Sequence, residues 1–181
     1  DELAREGIHI IEGRGLSRAD GKWLSDWFNE YVLPVITPQA IDPAHPFPFI
    51  ANQGMGILFS LVRTSDNAPI TEMILIPPAL PRFVRLPGES PRYLSIEAIL
   101  CRQAALLFPG FRILGSGVFR VLRDSDIEIE EDAEDLVRYY RTAIQRRRRG
   151  QVILLQLQGE FDPAAEALLR GQPVDPAHIA A

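Results

Sequence analysis

The densest chemistry in the sequence is RDSDIEIEEDAED, Arg123 to Asp135, which holds eight carboxylates. On a strand, Asp126, Glu128 and Glu130 point to one face while Ile127 and Ile129 point to the other. Such a ladder could bind Mg²⁺ through hard oxygen ligands and, through the metal, phosphate. The preferred expectation is plainer. It is a half-buried strand with one wet face, running into a helix whose acidic first turn suits its positive end. Arg146 to Arg149 are the basic counterpart, four arginines in a row. They complement the negative end of a helix, and their guanidinium forks also match phosphate oxygens. Helical neighbours point about 100° apart, so only one or two of them could converge on one ligand.

Arg82, Arg85, Arg120 and Arg123 are candidates of another kind, standing in extended segments beside apolar residues. On a sheet face they could follow an anionic chain. They could equally lay their stems over apolar surface or pair with the carboxylate ladder. Catalytic constellations are missing. His9, His45 and His178 are scattered, none at metal-ligand spacing from another His or Cys. Cys101 is the only cysteine, so no internal disulfide or cysteine zinc site is expected; it reads as a small buried hydrophobe on a helix. Neither G-x-x-x-x-G-K-[ST] nor G-x-G-x-x-G occurs. Gly54-Met55-Gly56 is too short to signify, and GSG at Gly115 to Gly117 reads as a turn before a strand. No catalytic or metal-binding residue is assigned.

The elements that must hold these residues follow from patterning. With 181 residues, 46% apolar and 24% charged, the chain can form one domain with a real core. A net charge of −5 and a pI of about 5.2 argue against a general nucleic-acid binder. No run approaches the ~18 apolar residues of a membrane span, and no signal peptide is evident. The opening DELAREGI resembles the tail of a helix and the closing DPAHIAA has no evident stop, so a piece of a larger protein is expected.

Ile8 to Ile11 is a short strand candidate. Ser17 and Asp20 form a capping box for a helix carrying Trp23, Leu24, Trp27, Phe28 and Tyr31, ended by Pro34; its tryptophans are expected in a core or an interface. A proline-rich connector spans residues 34–50, with Pro38, Pro43, Pro46 and Pro48 barring any helix or central strand from its latter part. Met55 to Arg63 and Thr71 to Ile76 form a hairpin across the turn TSDNAP. Arg82 to Leu86 is extended, and Ser95 caps a helix closed by Pro109-Gly110. Phe119 to Glu130 is β structure, Asp132 to Arg149 a helix, Gln151 to Gln158 a strand, and Asp162-Pro163 opens a last short helix. The expected class is α+β: a single domain of mainly antiparallel or mixed sheet with helices packed on it.

Taken together, LPVITPQAIDPAHPFPFI, LPRFVRLP, LFPG, FRVLRDSDIEIEEDAEDL and RRRRG resemble the polyphosphate kinase family in this order, over about residues 1–165. The resemblance implies that residues 1–181 are the middle, or head, domain of an enzyme that reversibly transfers the terminal phosphate of ATP onto inorganic polyphosphate. It also implies a phosphohistidine intermediate, with ATP and Mg²⁺ bound by a C-terminal half that has no counterpart here. The fragment itself is then expected to be inactive and without cofactor. Its implied partners are the other domains of the same chain, a second copy in a homo-oligomer, and polyphosphate; no nucleic acid is among them. The implied location is cytoplasmic or associated with the inner membrane. Arg82, Arg85, Arg120 and Arg123 become candidate polyphosphate contacts, and His45, Phe47 and Phe49 candidate interface residues. Two other readings stay open. One is a freestanding module that binds a polyanion or a protein. The weaker is a standalone hydrolase using the carboxylate ladder, which lacks a base, a nucleophile and a phosphate loop.

Overall fold

The computed structural model describes residues 2–11, 15–41, 48–123, 152–159, 161, 163–170 and 179–180. The carboxylate ladder, the Asp132 to Arg149 helix and residues 42–47 of the proline segment, His45 and Phe47 included, lie outside the described residues.

The chain opens with a short helix, α1 (Glu2–Arg5), and strand β1 (His9–Ile10). Helix α2 (Arg18–Trp27) follows, prolonged by a π-turn at Phe28–Val32 and a 3-10 turn at Leu33–Val35 that contains Pro34. Strands β2 (Gln39–Ile41), β3 (Met55–Arg63), β4 (Pro69–Leu75), β5 (Phe83–Arg85) and β6 (Arg92–Ser95) come next. Helices α3 (Ile96–Arg102) and α4 (Ala104–Leu107) lead into the long strand β7 (Phe111–Arg123). After it stand β8 (Val152–Gly159), helix α5 (Pro163–Arg170) and β9 (Ile179–Ala180). The strands form a sheet of six in the order β2-β4-β3-β7-β8-β9 and a sheet of three in the order β1-β6-β5. Pairing is antiparallel except at β8–β9 and β1–β6, so the class is α+β with mixed sheets.

Strand β3 explains the layout. Its sequence, MGILFSLVR, is apolar at successive positions rather than alternate ones, which suits a strand covered on both faces. Ile57, Phe59 and Leu61 enter one core with Leu24 and Phe28 of the α2 region, Val84 of β5, Leu94 of β6, and Ile99 and Leu100 of α3. Leu58 enters a second core on the opposite face, with Met73, Phe119, Val121, Leu155 and Leu169. Each fully buried Phe or Leu of this kind contributes roughly 1.5–3 kcal/mol relative to exposure. The tryptophans follow expectation: Trp23 and Trp27 are half-buried against the first core and stack on each other, and Trp27 also stacks on the exposed Tyr31.

Three details differ from the sequence reading. GSG is not a turn: β7 begins at Phe111, and Gly115 to Gly117 run through its middle. Glycine is required at 117 because a Cβ there would overlap the Phe161 ring, which packs against the second core. Gln39–Ile41, inside the proline segment, pairs with β4 as an edge strand, the one sheet position where nearby prolines are tolerated. Arg92–Ser95, not expected as a strand, is the centre of the small sheet.

The α2 N-terminus shows how the layers are fastened. Ser17 Oγ accepts from the Asp20 amide and the Asp20 carboxylate accepts from the Ser17 amide, both at 3.1 Å, completing the capping box. The same carboxylate accepts a fork from Arg92 of β6, 2.9 Å at each oxygen. That fork, with help from Ser17, holds the Asp20 carboxyl well below the usual carboxylate range. Its stabilising effect is therefore full above the ordinary carboxylate pKa and is lost as pH falls through the depressed folded value. Asp20→Asn is expected to lower the melting temperature by several degrees at pH 7. The gap from wild type should narrow only below about pH 4, as read by thermal melts across pH 2–7; a gap constant over that range would refute the assignment.

Candidate functional site

The four candidate arginines split by strand parity. Side chains alternate faces along a strand, so residues three apart point to opposite sides. Phe119, Val121 and Arg123 of β7 are buried on the side of the second core, whereas Arg120 is exposed on the other side. Arg82 precedes β5, whose Val84 is buried while Arg85 is exposed.

Arg82 and Arg120 meet at one cleft of about 580 Å³. Its lining includes Met55, Val118 and Arg120 of β3 and β7, Gln156 and Gln158 of β8, and Arg82 with Glu97 at the α3 end. Register explains the floor: Met55 pairs with Arg120, and Arg120 with Gln156, so three strands present a row of side chains. Arg82 donates a fork to Glu97, 2.6 Å at each oxygen. Arg120 makes no ion pair among the described residues. The cleft thus offers two guanidiniums, two amides and one carboxylate, a set that can hold an anion. Among the described residues no histidine or cysteine lines it, and no group of three or more His, Cys, Asp or Glu could hold a metal ion.

Arg85 is exposed on β5 but does not line the cleft. Arg123 is a different object. It is only 7% exposed; its Nε donates to the Ile50 carbonyl at 2.7 Å and its amide donates to Asn52 Oδ1 at 2.8 Å. Its guanidinium lies 4.6 Å from the centre of the Phe49 ring, close enough for a cation–π contact. Burial pushes its pKa below the ordinary arginine value. Arg123 therefore fastens the end of the proline segment to β7 rather than facing the cleft. Phe49 is 52% exposed, with Arg123 against its ring.

Sequence reasoning missed Glu97, Gln156 and Gln158. The signal for the glutamines was present in QVILLQLQ, where residues 156 and 158 share a face, but only the pairing of β7 with β8 aligns them with Arg120. Cys101 behaves as expected: it is packed against the first core, and burial pushes its thiol pKa up.

The class the described residues define is an α+β domain with a two-sided core and a cleft that presents two arginines. Comparison with known proteins places it more closely. The model of the polyphosphate kinase middle domain matches residues 19–175. The polyphosphate kinase of Erythrobacter litoralis is 59% identical over 169 residues, covering 93% of this chain and 23% of that protein. The polyphosphate kinase of Mycolicibacterium gilvum is 36% identical over 184 residues, covering 98% and 25%. A crystal structure of polyphosphate kinase from Porphyromonas gingivalis superimposes with a TM-score of 0.63 over 81% of this chain and 25% of that one. At 21% identity that last likeness speaks to the fold alone. The chain belongs to the polyphosphate kinase family, as its middle domain, and spans about a quarter of the length of these relatives.

Replacing Arg123 by Met removes the donor to the buried Ile50 carbonyl. Arg123→Met is expected to lose about 1–3 kcal/mol of stability, with an unchanged urea m-value, in equilibrium unfolding; an unchanged midpoint would refute the fastening role.

Proposed function

We propose that this chain is the non-catalytic head domain of a polyphosphate kinase, the enzyme that reversibly transfers the terminal phosphate of ATP onto inorganic polyphosphate. In this reading the phosphorylated histidine, ATP and Mg²⁺ belong to the remainder of the longer protein, and this domain is inactive alone. The observation that carries the proposal is the juxtaposition of Arg82 and Arg120. They are distant in sequence, yet line one cleft that also holds the side-chain amides of Gln156 and Gln158. Phosphoryl transfer needs positioning and charge neutralisation more than covalent chemistry from the protein. A cationic cleft on a rigid sheet fits the task of bordering the polymer's route.

The second part of the proposal concerns assembly. The proline segment presents Phe49 on a fixed support, its ring against Arg123 and its neighbour Ile50 buried in the second core. A stiff, apolar projection loses little entropy on docking. It suits contact with another domain of the same chain or with a second copy in a homo-oligomer, and His45 and Phe47 belong to the same stretch. The freestanding polyanion-binding module shares the cleft but leaves unexplained why the relatives are about four times longer. The described residues contain no helix long and apolar enough to cross a membrane. A cytoplasmic or inner-membrane-associated setting is part of the proposal.

Calorimetric titration with long-chain polyphosphate at two salt concentrations tests the cleft. Binding should weaken with salt. Arg120→Gln and Arg82→Gln should each weaken it about five- to tenfold, Arg85→Gln less, and MgATP should give no heat. Equal affinities for wild type and both cleft variants would refute the route. Independently, Phe49→Ala in the full-length protein should reduce self-association by analytical ultracentrifugation; an unchanged oligomer would refute the assembly role.

A further inference from the structure

Among the described residues, Glu97 is the one carboxylate of a cleft otherwise suited to anions. Its carboxylate closes both oxygens on the Arg82 guanidinium at 2.6 Å. The Glu97 side chain is only 15% exposed, whereas that of Arg82 is 46% exposed. Its position in the first turn of α3 also favours negative charge there. Of the two cleft cations, Arg82 is thus already engaged by an internal anion, and Arg120 makes no ion pair among the described residues.

We infer that Glu97 is a competitive latch on Arg82, one that a chain of linked phosphates anchored at Arg120 opens and a single phosphate ion does not. The inference rests on the reading of the cleft as a polyphosphate contact. A single phosphate held at Arg120 displaces no ion pair of the described residues and gains one guanidinium. To reach Arg82 it must displace Glu97, leaving a largely hidden carboxylate beside a second anion, and both effects disfavour the exchange. A polymer is in a different position. One of its units is held at Arg120, with the amides of Gln156 and Gln158 alongside. The following units are then presented to Arg82 at high effective concentration. Each attempt to displace the carboxylate is intramolecular, and the latch yields. A ligand that engages Arg82 thus bears the cost of displacing Glu97, whereas a single ion held at Arg120 stays outside the contest.

The test uses the 181-residue chain with inorganic phosphate, tripolyphosphate and long-chain polyphosphate as probes, by calorimetry at low salt. Glu97→Gln should tighten binding of long-chain polyphosphate about fivefold and leave that of inorganic phosphate nearly unchanged, with tripolyphosphate between them. The long-to-short affinity ratio then rises. Adding Arg82→Gln to Glu97→Gln should abolish the gain. Circular dichroism and a thermal melt check that the variant is folded. If it is not, Glu97→Asp, whose shorter arm loosens the fork, should shift the same ratio in the same direction by less. Unchanged or weaker long-chain binding in the folded variant would overturn the latch. If Arg82→Gln and Arg120→Gln still weakened wild-type binding, the cleft reading would survive that result. No binding of any probe by wild type or Glu97→Gln would overturn the cleft reading and the latch together.

Discussion

Strand β3 is paired on both edges, by β4 and β7, and covered on both faces, and the remainder of the structure depends on that double burial. An antiparallel sheet can leave one face wet; at β3 this one does not. The helices and the small sheet sit on one side, and α5, Ile50 and Phe161 on the other. A strand in this position cannot slip by one residue without exchanging the contents of the two cores, so its register is strongly specified. Glycine at 56 belongs to the same constraint. A Cβ there would overlap the Phe119 ring and stand 2.8 Å from the Ile74 carbonyl.

Around this frame, arginines act as fasteners more often than as open binding groups. Arg92 ties β6 to the capping box of α2 through Asp20. Arg123 ties β7 to the end of the proline segment through Ile50. Arg82 ties the start of β5 to α3 through Glu97. The planar fork suits such work, since it satisfies two acceptors in fixed geometry. Arg82 differs from the other two in its exposure and its place at the cleft. It is a fastener that a stronger anion can take over, and this connects the packing of the domain to its proposed role along a polymer route.

Bulges account for apolar groups that would otherwise look misplaced. In β7 the pairing steps from Ser60–Gly115 to Leu61–Ile113, leaving Leu114 without an opposite residue. In β8 it steps from Leu122–Leu154 to Arg123–Val152, leaving out Ile153. Both extra residues are exposed, as expected where a bulge turns a side chain away from its face. The second bulge lies opposite Arg123 and accompanies the inward course of that end of β7.

Local patterning determined a good deal. The capping box of Ser17 and Asp20, the hairpin around TSDNAP, the Ser95 cap and the α+β class were legible because each rests on short-range rules of hydrogen bonding, turn chemistry and periodicity. The collinear motifs carried the family. Parity was also available in the sequence: Arg82 and Arg85, like Arg120 and Arg123, are three apart and cannot share a strand face. Tertiary structure alone decided which arginine of each pair matters to the cleft, because that depends on which face each core covers. It alone showed that Gly115 to Gly117 lie within a strand, since the reason for glycine at 117 is a ring arriving from residue 161. Glu97 was invisible as a functional group for the same reason. A glutamate in the first turn of a helix is locally unremarked, and its meaning comes from an arginine fifteen residues away that the fold brings to 2.6 Å.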